Sequence, residues 1–384
     1  MSTITVGSTA GLNAALKTAL SGDTILLAPG TYSGLSIKGI DTGGLVTIKS
    51  LDPNNEAVLT NFNISHSSGL KFQGVEMSAS GGVGYYSWII RDSQNIHFDD
   101  VNIHGSMDGN PQNDAAGIQV FDSSDVSIIN AEFQQLYRGV AFSESNNITV
   151  SGNEFHDTAR TAIFSQNVQK VTIVDNSFTN FRPAEGDHMD AIAFTAKSDG
   201  TNTTQDIFIS GNVITRGDGK VAQGIFFRDP SGVTDFKNIQ IVDNIIVGMG
   251  YNGIYVNGAD NVKVDGNQVL SYEGKANTSW ILVQNVDGVA VTNNAASLIS
   301  VLGSNGNTAI TDAGNTIVDY VTDGGVAAVQ AFLNNLGGIQ SPVWDAALPR
   351  VPEPIPTPTP TPTPTPIPTP EAVPTPSPTP TAGQ

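Results

Sequence analysis

Ile148-Thr-Val150-Ser-Gly-Asn153-Glu-Phe155 is followed 23 residues later (148→171) by Val171-Thr-Ile173-Val-Asp-Asn176-Ser-Phe178. The two octapeptides share one pattern: apolar, any, apolar, two of any kind, Asn, any, apolar. It returns over residues 207–214, 239–246, 262–269 and 289–296. Looser copies start at Leu70, Ile96 and Val126, and a weak one covers 310–317. The shortest intervals on the Asn column are 22, 23, 23 and 21 residues (131→153, 153→176, 244→267, 294→315). Alternation with period two marks each copy as a strand. Eight residues before it stands a second short strand, as in Gly117-Ile-Gln-Val120, Gly139-Val-Ala-Phe142, Gly224-Ile-Phe-Phe227 and Gly253-Ile-Tyr-Val256. A unit of about 22 residues is too short for a strand-helix-strand crossover. It holds two or three short strands joined by tight turns. Such units stack as coils of a parallel β-helix, with inward Ile, Val and Phe in continuous ladders.

Asn153, Asn176, Asn212, Asn244, Asn267, Asn294 and Asn315 fall where each coil must bend. Asn tolerates left-handed backbone, and stacked amides can hydrogen-bond one another. Both are expected at this column. Residues 11–20 have apolar side chains at helical spacing, which predicts a helix covering the first coil, an edge otherwise exposed. Residues 326–333 predict a closing helix at the far end. The expected organisation is an all-β domain over 1–345 and a tail over 346–384. Fourteen of the 21 prolines lie between Pro352 and Pro380, mostly as Thr-Pro pairs, which makes this an extended spacer and implies a further module beyond it.

Cysteine is absent, so no disulfide framework or thiolate metal site exists. No apolar run reaches membrane-spanning length, and the N-terminus lacks the regions of a secretory signal. The acidic, Gly/Asn/Asp-rich composition points to an extracellular or cell-surface protein of bacterial or phage origin. A net charge of −19 argues against nucleic acid as a partner. A polyanion can bind only where cations are concentrated.

Five of the seven arginines fall between 138 and 228, and Arg138, Arg160 and Arg182 are 22 apart and then 22 apart again. One coil per step predicts a line of cations on one face, a strip for binding anions. Lys220 and Lys275 extend that region, and Tyr251 takes an equivalent place. The coils also swell here, because 176→212 and 212→244 span 36 and 32 residues. Loops added to a rigid scaffold are where sites usually sit. The first insertion holds Glu185, Asp187, His188 and Asp190. His188 between two carboxylates is a candidate general base. Glu185, Asp187 and Asp190 are candidate calcium ligands, calcium being the one cofactor considered. Lys197 and Arg228 follow successive first strands and are expected on neighbouring coils. Phe164, Phe226 and Tyr255 occupy outward positions from which aromatic rings stack on sugars.

The predicted first helix, the segment Gly22-Asp-Thr-Ile-Leu-Leu-Ala-Pro-Gly-Thr-Tyr32 and the Asn-bearing coils resemble the pectin-lyase-like right-handed parallel β-helix superfamily over 1–335. The N-terminal phrase is most similar to the chondroitinase B/alginate lyase family, with mannuronan C-5 epimerases related. The resemblance implies chemistry on a uronic acid polymer. A cation neutralises the carboxylate, a base takes the C-5 proton, and an acid protonates the departing oxygen. Phe194-Thr-Ala-Lys197-Ser198 and Phe227-Arg228 resemble that family's lysine and arginine segments, which implies a Lys base, an Arg acid and calcium. Taken together, the expected enzyme is a lyase or epimerase acting on an acidic polysaccharide. Arg160, Arg182 or calcium neutralises, His188 or Lys197 is the base, and Tyr137, Tyr251 or Arg228 is the acid. Arg138, Arg160, Arg182, Lys220, Phe226 and Tyr255 hold the chain. The alternative is a non-catalytic glycan-binding adhesin or tailspike-like module.

Overall fold

A computed structural model describes residues 1–335 apart from 198, 200, 202–203, 230–235, 273–277 and 304–309. Lys275, Ser198, the expected boundary at 345 and the Pro/Thr tail lie outside the described residues. Among those described, no helix is long and apolar enough to cross a membrane.

Each coil contributes three strands to three parallel ladders. In the first ladder Ile118, Val140, Ile163, Ile192 and Ile225 stand in register and point inward. The second ladder holds the first half of the repeated phrase, pairing Val126 with Ile148, Val171 and Ile207. The third holds its end, pairing Phe133 with Phe155 and Phe178, whose rings stack at 4.4 and 5.0 Å. Among the described residues this ladder has 12 strands. Asn252–Asp265 and Trp280–Thr292 run unbroken from the first ladder into the second.

The Asn column lies at the turn from the second ladder to the third, and its amides bond in series. Asn153 Nδ2 donates to Asn176 Oδ1 at 2.8 Å, Asn176 to Asn212 at 2.9 Å, and Asn212 to Asn244 at 2.8 Å. The series continues through Asn267 and Asn294 to Asn315. Each oxygen also accepts the backbone N–H of the preceding Asn. The left-handed residue is not the Asn itself. It is the one before, as at Gly152, Asp175, Gly211, Asp243 and Gly266. The bend therefore uses two adjacent residues, one to turn and one to bond. A second column escaped the sequence reading. Ser67, Ser93, Ser123 and Ser145 stand three residues before successive copies of the phrase. They bond N–H to Oγ from coil to coil at 3.1–3.2 Å.

The first helix, α1, spans Thr9–Leu16, earlier at both ends than the predicted 11–20. Ser8 caps it, and Leu12, Ala15 and Leu16 are buried against the first coil. It stops because Asp23 takes the N–H of Leu20 (3.1 Å) together with that of Ser2 (2.6 Å), which turns the chain. The last helix, α2, spans Val326–Asn335. It does not close the end of the stack. Val329 and Phe332 pack on Val213, Ile245, Val247 and Leu270, outward residues of the third ladder. Those coils turn apolar on the outside because a helix covers them.

Replacing Asn212 by Ala would strand the buried backbone N–H of Asn176, break the amide series on both sides, and take one donor each from the carbonyls of Ile173 and Ser210. The expected cost is about 3 kcal/mol in urea unfolding, since each unsatisfied buried group costs roughly 1–3 kcal/mol. Asn315→Ala, at the half-exposed end of the column, is expected to cost far less.

Candidate functional site

The outward face of the first ladder gathers the candidate groups. Phe164, Ala193, Phe226 and Tyr255 form its central outward column. Three positions earlier, where the chain enters the ladder, another column runs Tyr86, Ala116, Arg138, Thr161, Asp190, Gln223 and Asn252. Ala116 is small, so Arg138 reaches across it. Its Nη1 donates to the Tyr86 hydroxyl at 3.2 Å, and its guanidinium lies 5.0 Å from the Phe164 ring centre. Among the described residues Arg138 has no carboxylate within ion-pair distance, and its Nε is buried without a partner.

Asp190 stands two coils along the same column. The residue keeps some exposed surface, but its Oδ1 is sealed and has no hydrogen-bond donor. Burial pushes its carboxyl up to about 7, although a hydrogen bond with the Thr161 side chain and the charge of Arg138 pull the other way. A carboxyl balanced between its two forms at neutral pH is suited to proton transfer. An orphaned acceptor and an orphaned donor on one face are also unusual, because buried polar groups are normally paired. Sequence reading placed Arg138 among the substrate-binding residues. It took Asp190 only for a metal ligand. The signal that marks Asp190 is its place two residues before the inward Ile192 of the first ladder.

The other expected residues fall into separate groups. Arg160 pairs with Asp187 at 3.0 Å and lies over the ring of Tyr137. Arg182 is clamped by Asp157 and Asp218, both at 2.9 Å. Equal spacing did not give one open strip, because local carboxylates neutralise two of its three members. Lys220 Nζ donates to the Pro183 carbonyl. His188 is exposed and makes no hydrogen bond among the described residues, so nothing orients it as a base. Lys197 and Arg228 are adjacent, as expected, since Ala196 N donates to Arg228 O at 3.0 Å. They sit at the opposite end of the first ladder, however. The strand Asp190–Thr195 separates them from Arg138 and Tyr137, roughly 16 Å at the rise of an extended chain. Lys197 is paired with Glu144, beside an acidic groove of about 580 Å³ lined by Asp41, Asp92, Asp122 and Glu144. One catalytic set made of His188, Lys197 and Arg228 is not formed.

Glu185, Asp187 and Asp190 do not fit calcium. Glu185 is exposed, Asp187 is turned to Arg160, and Asp190 rises into the ladder. No group of three acids or histidines among the described residues has metal-holding geometry.

A second titrating cluster, missed in the sequence, lies outside the third ladder. His156 contacts Asp157 at 2.8 Å and Glu132 at 3.1 Å through its two ring nitrogens. Burial opposes its charge, but the hydrogen bonds to these carboxylates and the nearby Glu154 outweigh that and bring it to about 9. Burial raises Glu154 to about 6. Asp157 also binds Arg182, so this is a closed ion-pair network that ties two turns together. The raised histidine value stabilises the fold fully below its ordinary value of 6.5, and that contribution is lost as pH rises through about 9. Thermal midpoints are therefore expected to fall between these pH values in the parent protein, and to fall less in His156→Gln. Midpoints measured across this range check it.

A sequence profile of right-handed β-helix regions matches residues 50–269. Among curated proteins, no sequence matches. Structures of similar shape include an alginate lyase from Paenibacillus sp. str. FPU-7, with 16% identity, 82% of this chain and 99% of that chain covered, and a TM-score of 0.41. PfbA, a surface adhesin of Streptococcus pneumoniae, shows 12% identity, coverage of 84% and 94%, and a TM-score of 0.48. A Family 28 exopolygalacturonase of Yersinia enterocolitica shows 12%, 81% and 75%, and 0.38. At this identity and overlap, these likenesses carry no functional information about the chain. The profile covers more than half of the sequence and agrees with the three observed ladders: the chain belongs to the right-handed β-helix region family.

Proposed function

We propose that the first-ladder face acts on a uronic-acid-containing polysaccharide by removing the C-5 proton. The observation behind this is the pairing of Asp190, poised near neutrality, with Arg138, a cation lacking a carboxylate partner among the described residues. The uronate carboxylate would be neutralised by the positive charge of the Arg138 guanidinium, which would acidify the C-5 hydrogen. Asp190, ionised, accepts that proton. In β-elimination the released electron pair forms the C-4 to C-5 double bond, and the bond from C-4 to the glycosidic oxygen breaks. The departing oxygen would take its proton from water, since Tyr86, four coils from Asp190, serves to hold the Arg138 guanidinium through its hydroxyl. In epimerisation the proton returns to the opposite face instead. Two-carboxylate hydrolysis is less well supported, because Asp190 is the one carboxyl on this face, among the described residues, with a raised value. Such a polymer implies action outside the cell or at its surface.

The rival is a glycan-binding module without turnover. The stacked pairs Phe226–Tyr255 and Tyr251–Trp280 favour binding under either reading.

Activity is expected as ultraviolet absorbance of an unsaturated uronate, or as solvent proton exchange at C-5, on a panel of alginate, pectate, chondroitin and gellan-like polymers. Asp190→Asn should lower turnover about 10²–10⁴-fold, the usual worth of a positioned base. kcat/KM should rise with pH through about 7, as Asp190 ionises. Arg138→Ala should abolish turnover, while His188→Ala leaves it unchanged. Neither signal on any polymer would remove the enzyme reading, and binding without turnover would establish its rival.

A further inference from the structure

The two halves of the first-ladder face differ in chemistry. From Tyr86 to Asp190 it carries the reacting groups. From Gln223 onward it is aromatic and amide-lined. Phe226 and Tyr255, on successive coils, stack at 4.9 Å, and Tyr251 stacks on Trp280 at 5.0 Å. These rings are held in place. Trp280 Nε1 donates to Asn252 Oδ1 at 2.8 Å, and Asn252 donates in turn to Gln223. Gln284 donates to the Tyr255 hydroxyl at 2.9 Å. Tyr251 is 51% exposed although it lies in a ring stack, so the pair stands at the surface.

Charge separates the halves as well. Residues 251–258 and 279–285 contain no Lys or Arg. Asp260 and Asp287 stand at the same coils, where the second ladder begins. A homopolymer of uronate lying along the stack would place a carboxylate on nearly every coil, about 4.8 Å apart. Beyond Arg228 the described residues of this face offer it no cation. Rings and amides suit the apolar faces and hydroxyls of uncharged pyranoses instead.

We infer that the aromatic half of the first-ladder face binds neutral sugar units, so that the substrate is a heteropolysaccharide in which the uronate held at Arg138 is followed by uncharged pyranoses. This rests on taking the Asp190–Arg138 pair as the reacting centre. Asp190, Gln223, Asn252 and Trp280 occupy one column on successive coils, so the platform begins one coil from the reacting carboxyl and extends two coils further. The coil step is close to the length of one pyranose, so the bound chain would present its neutral units one, two and three places from the uronate.

The test is native electrophoresis of the full chain in gels cast with three heteropolymers (gellan-like, xanthan-like and glucuronoxylan) or with polygalacturonate. At least one heteropolymer should retard the parent, and polygalacturonate should retard it at least tenfold less. Trp280→Ala and Tyr255→Ala should each weaken retardation about tenfold, equivalent to ~1.4 kcal/mol. Trp280→Phe, which keeps a ring, should largely restore it, and Asp190→Asn should retain it. Unchanged circular dichroism and thermal midpoints would exclude misfolding. Equal retardation by polygalacturonate, no retardation by any heteropolymer, or retardation indifferent to both ring deletions would overturn the inference. Turnover of polygalacturonate at the heteropolymer rate would also overturn it while leaving the Asp190 chemistry standing. Ring-dependent retardation with no turnover on any polymer would remove the chemistry and leave the preference for neutral sugars.

Discussion

Strict parallel register between coils is the constraint on which everything else depends. A short coil cannot shift by one residue without sending its inward Ile and Val to the solvent. The Asn series enforces this register at one corner and the Ser series at another, each tying a backbone N–H to a side chain one coil away. Both series are buried, so slipping would leave donors and carbonyls unpaired where water cannot reach them. The apolar core gives the stack its cohesion, and the polar columns give it its alignment.

That alignment is what makes a surface site possible on so simple a scaffold. Outward residues at one ladder position line up whatever lies between them in sequence. Tyr86 and Arg138 are 52 residues apart and hydrogen-bonded, and Ala116 between them leaves the room. Insertions do not disturb the columns, because the strands of the two long coils keep register with their neighbours. The same geometry sorts the cations of an acidic protein: Arg160 and Arg182 are absorbed by carboxylates of neighbouring turns, while Arg138 has no carboxylate within ion-pair distance among the described residues.

The third ladder shows how neighbours change the meaning of one position. Its early outward residues, Glu132, Glu154 and His156, form an ion-pair network at the surface. The equivalent positions in later coils are Val213, Ile245 and Val247, covered by α2. Each set of side chains matches what lies over it, solvent in one case and a helix in the other.

The repeated phrase, read alone, determined the strands, their stacking, the inward ladders and the Asn column, because a fixed period carries those facts along the chain. It also located the region that matters, through the clustered arginines and the two long coils. It misplaced the left-handed residue, which is Gly152 or Asp175 and not the following Asn, since backbone angle and side-chain bonding both act at the same bend. It placed Lys197 correctly beside Arg228 but combined it with Arg160 and Arg182, which lie at the opposite end of a strand, because spacing counts coils and not position around a coil. It gave weight to His188 and took Asp190 for a metal ligand. Only the tertiary structure decided that His188 faces water and that Asp190 lies half-sealed beside Thr161, two coils from Arg138. Burial, which sets the proton affinity of a carboxyl, depends on what other coils place around it, and no local sequence records that.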